Sequence, residues 1–208
     1  MESVSRAKEF IGSQEYNDLK KDLELRVSKV QREIAIAASI DNVNMRGRII
    51  EFLITDNGSD LKKQIIDALN KGEALPKFKT EDKLGDYSKE YRNYRVETDI
   101  KTKVLFLDGN PKAYNIDKIL EFLVSPKSVY MIYLIGIEND KRIIVRLCSF
   151  IDKRLIKATN IQHHWAGRNT RGVTQFTGTF LKEILESENV PLIETQEAYD
   201  FINKLIAL

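Results

Sequence analysis

The stretch Val96–Val104, VETDIKTKV, alternates β-branched or apolar residues with charged ones at a period of two. Successive side chains of a strand point to opposite faces. Val96, Thr98, Ile100, Thr102 and Val104 therefore share one face, and Glu97, Asp99, Lys101 and Lys103 share the other. A charged row of this kind is either an ordinary solvated strand face or acids and bases set against a site. Downstream, SVYMIYLIGIE (128–138) and RIIVRLCSFI (142–151) are nearly continuous apolar strands, a pattern that implies burial on both faces.

Around these strands the chain is helical. Leu19, Leu23, Val27, Val30 and Ile34 recur at helical spacing, so one long amphipathic helix is expected from about Gln14 to Ser39, with Ser13 as its cap. NMRGRIIEFLIT (44–55) and SDLKKQIIDALNKG (59–72) read as two more helices, the second stopped by Gly72. DYSKEYRNYRVETDIKTKVLF (86–106) reads as two or three antiparallel strands. Asn115 can cap a helix IDKILEFLV ending at Ser125-Pro126, and the last thirty residues are again helical. Helices, strands, a crossover helix, more strands and more helices predict an α/β sheet covered on both sides.

With 208 residues the chain can build one sizeable core, and no linker or repeat divides it. A formal charge of +2 names no partner by itself. The lone Cys148, in an apolar run, is expected to be a buried core thiol. No stretch reaches the length of a transmembrane helix, and the N-terminus lacks a secretory pattern. No membrane association is therefore expected, and the expected setting is cytoplasmic.

Asp99 and Lys101 project side by side as D-x-K, a carboxylate able to hold a divalent cation beside an ammonium able to orient a water. Asp86 lies thirteen residues earlier, after Gly85, where a hairpin could bring it beside Asp99. Two converging carboxylates favour an intervening Mg²⁺. Glu51 offers a third acid from a helix. Gly47, one turn below it, leaves that face without a side chain, so a neighbouring strand is expected to approach closely.

A helix acid in G-x-x-x-E, an aspartate opening one strand and D-x-K on the next resemble the PD-(D/E)XK nuclease superfamily. Asp before x-Lys, followed by Thr, resembles its type II restriction endonucleases of the EcoRV and HincII kind. The resemblance covers roughly Met45 to Phe150. It implies a restriction endonuclease-like three-layer α/β fold, with a mixed central sheet of about five strands flanked by helices. It also implies that Asp86 and Asp99 ligate Mg²⁺, that Glu51 supports the metal or its waters, and that Lys101 positions the attacking water. Double-stranded DNA is then the substrate, cut at a specific sequence to leave 5′-phosphate ends. A homodimer, a prokaryotic cell and a cognate DNA methyltransferase in the same system complete the expectation. Where the family often has Pro-Asp this chain has Gly85-Asp86, so Asp82 or Glu90 are alternative first metal ligands. Within a single nuclease domain, 1–44 form a helical part available for dimer contact, 45–150 the catalytic core, and 151–208 a recognition segment with C-terminal helices.

From Lys153 to Lys182 there is no Asp or Glu, where the chain's average acid content would place about four or five. The centre of this segment, QHHWAGRNTRGVTQF (162–176), reads as a loop for a DNA groove. Arg168 and Arg171 are bidentate donors, Asn169 and Gln175 offer amides for adenine edges, and His163 and His164 flank them. Lys103, on the charged strand face, adds a phosphate contact. A ββα-metal site would need a complete His-Asn-His set that two histidines cannot supply. A Fic motif partly matches at His163, Asn169 and Arg171, but Gly167 stands in place of its metal-binding acid. A surface loop with Trp165 packed on the core is the plain alternative. A structure-specific or nicking nuclease, and a non-catalytic DNA-binding protein, are the rival functions.

Overall fold

The computed structural model describes residues 2–78, 85–107, 111–139, 142–165, 173–188 and 190–208. Five helices lead the chain: α1 (Glu2–Ile11), α2 (Gln14–Ser28), α3 (Gln31–Ala38), α4 (Val43–Thr55) and α5 (Asp60–Lys71). Strands β1 (Tyr87–Glu90), β2 (Arg95–Val104) and β3 (Lys112–Asn115) follow, then helix α6 (Ile116–Val124) and strands β4 (Ser128–Asn139) and β5 (Arg142–Ser149). Helix α7 (Lys153–Ala158), strands β6 (Thr159–Trp165) and β7 (Val173–Phe176), and helices α8 (Gly178–Glu186) and α9 (Thr195–Ile206) complete the order.

The molecule is α/β, with a mixed four-stranded sheet in the order β1-β2-β4-β5 and a second sheet in the order β3-β7-β6. β2 runs antiparallel to β1 and parallel to β4, and β4 runs antiparallel to β5. The expected single sheet of about five strands is thus replaced by two smaller sheets. The short strands β3, β6 and β7 carry no long apolar run, and the pairing of β3 with β7 joins residues about sixty positions apart, as Lys112 with Gln175. Local pattern does not reveal such pairing.

Alternation along β4 builds a core on each face of the main sheet. Val129, Met131, Tyr133, Ile135 and Ile137 pack with Val96, Ile100 and Val104 against α2–α5, including Leu23, Ile34, Ile50 and Leu53. Tyr130, Ile132 and Leu134 face the other way, against Ile119, Phe150, Leu181 and Phe201 on or beside α6–α9. Gly136 brings α8 close: a Cβ there would lie 2.7 Å from the Leu185 side chain. Cys148 is buried, as its apolar setting implied.

The expected long helix at 14–39 is two helices, α2 and α3, broken at Lys29-Val30. Apolar spacing continues across the break, because Val27, Val30 and Ile34 are all buried. Periodicity alone does not show the change of axis. The caps follow the sequence more closely. Ser13, Asn42, Ser59 and Asn115 each accept a first-turn amide, and Gly72 ends α5 at φ 68°. Among the described residues no helix is long and apolar enough to cross a membrane.

Candidate functional site

β1 pairs with β2 only from Arg95 to Thr98. Beyond Thr98, β2 continues with β4 on one side and no β1 partner on the other. Asp86, immediately before β1, closes this gap by side chain: its Oδ2 accepts the Ile100 backbone N–H at 2.6 Å. Gly85 makes the approach possible. A Cβ there would stand 2.9 Å from the Thr98 nitrogen and 3.1 Å from its carbonyl oxygen. The glycine at this position thus allows a backbone contact that a larger residue would obstruct.

The first half of the charged face of β2 is not solvated. Glu97 and Asp99 are only 5% and 6% exposed. Glu97 accepts a hydrogen bond from Ser88 and lies 3.5 Å from Arg95. Asp99 Oδ2 accepts the Tyr130 hydroxyl at 2.9 Å and pairs with Lys101 Nζ at 2.7 Å. The solvated-face reading of VETDIKTKV therefore fails for its first two charges.

Glu51 comes from α4, on the opposite face of the sheet from Asp99, and the two faces meet at the edge of β2 that, among the described residues, has no strand partner beyond Thr98. Glu51 is in hydrogen-bonding contact with Asp86 and feels Asp99, Lys101 and Arg48. Three carboxyls thus act electrostatically on one ammonium, and Asp99 touches it. Burial, followed by the neighbouring Asp99, pushes Asp86 from 3.8 up to about 10, with Lys101 opposing. Burial also raises Glu51, although its hydrogen bond with Asp86 pulls the other way. Burial works against the Lys101 ammonium, but Asp99 and Asp86 outweigh it and hold its pKa above the ordinary lysine value. Burial and its neighbours therefore favour the protonated form of Asp86, and Lys101 is a cation and a donor.

The cluster opens on a cleft of about 650 Å³ between α4, the edge of β2 and the second sheet. Glu51 and Lys101 lie in its wall with Asn44, Gly47, Arg48, Lys103, Lys112 and Gln175. Gly47 does not receive a strand, as its position had suggested. A Cβ there would meet nothing within 4 Å, and the space belongs to the cleft. Asn44, Arg48 and Lys112 escaped the sequence reading, since nothing local distinguishes them from surface residues. For Arg48, its place three residues before Glu51 on the same helix was the available signal.

The donor chemistry suits a hard divalent cation such as Mg²⁺: three carboxylates, no thiolate and no imidazole. Their charge exceeds that of Lys101, and a proton on Asp86 offsets part of the excess. Among the described residues no three acidic, histidine or cysteine side chains stand as a ready metal cage. Protein donors already hold Oδ2 of both aspartates.

The other predicted positions are more dispersed. Glu90 lies at the far end of β1 and faces Arg95 at 3.6 Å, away from the cluster. Asp82 lies outside the described residues, as do Arg168, Asn169 and Arg171. The backbone of His163 and His164 belongs to β6, so the expected recognition loop is in part a strand. Gln175 sits on β7 opposite Lys112 and Asn160. No protein-family model matches the chain, and no curated protein or solved structure matches it.

Proposed function

We propose that this chain is a Mg²⁺-dependent deoxyribonuclease with a restriction endonuclease-like fold, hydrolysing phosphodiester bonds of double-stranded DNA as a type II restriction enzyme. The observation that carries the reading is the grouping of Glu51, Asp86, Asp99 and Lys101 at the edge of β2, with Glu51 and Lys101 in the wall of a cleft that also carries Arg48, Lys103 and Lys112. Asp86, Asp99 and Glu51 would hold the cation. When bound, Mg²⁺ supplies Lewis acidity toward a phosphoryl oxygen and lowers the pKa of a water. Lys101, held as an ammonium, donates a hydrogen bond that orients the attacking water or steadies charge on the phosphate. Arg48, Lys103 and Lys112 draw the DNA backbone into the cleft, while Gln175 and Asn44 present amides suited to base edges.

Cutting both strands of a palindromic site calls for two such clefts related by a twofold axis, hence a homodimer. A methyltransferase protecting the same site is the expected companion. Incubating the protein with supercoiled plasmid and Mg²⁺, then sequencing the ends, tests the reading. Discrete linear fragments with 5′-phosphates support it. Cutting confined to branched or nicked DNA assigns the same site to a structure-directed nuclease, and DNA binding without any cleavage removes the catalytic reading.

A further inference from the structure

We infer that Tyr130 is a positioning residue for the carboxylate cluster, holding Asp99 by one oxygen so that the other is presented to a divalent cation. The inference rests on the metal-dependent reading of the site and adds a residue to it. Tyr130 lies on β4 opposite Glu97 in the parallel register, and it is 2% exposed. Its ring is fixed edge-on between Phe122 and Phe150, with centroids 6.3 and 5.9 Å away.

A buried hydroxyl costs stability unless it is bonded, and this one donates to Asp99 Oδ2 at 2.9 Å. Lys101 Nζ reaches the same oxygen at 2.7 Å. Two donors of different origin on Oδ2 set the carboxylate's rotation. One is locked in an aromatic core and the other stands at the cleft, while the further hydrogen-bonding neighbour of the carboxylate is Asp86, the carboxyl that would share the cation with it. Outer partners of this kind orient metal-ligating carboxylates.

Tyr130→Phe removes only the hydroxyl and keeps the ring contacts, so the fold should persist with a melting temperature lowered by only a few degrees. Calorimetric titration of metal-free protein with Mn²⁺ alone should show affinity about 10- to 100-fold weaker than the parent's. With DNA, Tyr130→Phe should lower kcat with KM for DNA unchanged, and raising Mg²⁺ should restore the rate. The same addition should not rescue Asp99→Ala. Equal Mn²⁺ affinity in parent and Tyr130→Phe overturns the inference while leaving the proposed function standing. A parent that binds neither Mn²⁺ nor Mg²⁺ overturns both.

Discussion

Lys101 and Asp99 form a pair whose value depends on where it sits. A salt bridge at 2.7 Å with the lysine side chain 17% exposed and the aspartate 8% is too buried to be a surface ornament and too open to be a sealed structural pair. Lys101→Ala and Asp99→Ala should each lower cleavage about 10²- to 10⁴-fold while DNA binding persists, as gel-shift and single-turnover assays would show. Asp86 yields a prediction that needs no substrate. Unfolded, it ionises near 3.8, whereas the folded protein keeps it protonated to about 10. Between those values the folded state binds more protons, so the metal-free protein should lose stability as pH rises through the window. The loss is at most about 1.4 kcal/mol per pH unit. Asp86→Asn cannot ionise and should flatten this slope and raise the urea midpoint at alkaline pH. An unchanged slope would show that Asp86 is not the proton carrier.

The two glycines next to the site act in opposite senses. At Gly85 the obstructed atoms are backbone, Thr98 N and O, which cannot rotate away. Gly85→Ala should therefore push β1 off β2, cost about 1–3 kcal/mol in urea unfolding, and break the Asp86–Ile100 bond with loss of cleavage. At Gly47 the added methyl meets nothing, and alanine suits a helix interior. Gly47→Ala should stabilise the protein by about 0.5–1 kcal/mol. If DNA lies along α4, it should also weaken DNA affinity by filling the cleft. A second link ties the elements that bear the acids. Arg26 of α2 donates to the Ile54 and Thr55 carbonyls at the end of α4, at 3.2 and 3.3 Å, and stacks 4.8 Å from the Tyr87 ring beside Asp86.

The cleft draws on elements far apart in the chain: Arg48 from α4, Lys103 from β2, Lys112 from β3 and Gln175 from β7. Charge contributed to a groove is read through counterion release. Replacing Arg48, Lys103 or Lys112 by glutamine should weaken DNA binding across sequences and reduce the slope of log affinity against log salt by about one each. Fluorescence anisotropy over a salt series measures this, and an unchanged slope would remove the residue from the DNA path. Lys103 also holds the Leu107 carbonyl at 2.7 Å, so its glutamine variant additionally loosens the turn after β2.

Helix caps, the apolar strands β4 and β5, and the D-x-K on β2 are local features, and composition and period carried them. Ser13 and Asn115, the two caps read from the sequence, act within one turn of themselves, and the alternation of VETDIKTKV is itself the strand. The limit of the β1–β2 pairing at Thr98, the second sheet and the break at Lys29-Val30 were not legible, because each is decided by packing between distant segments. The charged face of β2 shows the division most clearly: its pattern told which residues share a side. Whether that side meets water, a tyrosine hydroxyl or another carboxylate was decided by the layer folded over it, because solvation depends on neighbours in space and not in sequence.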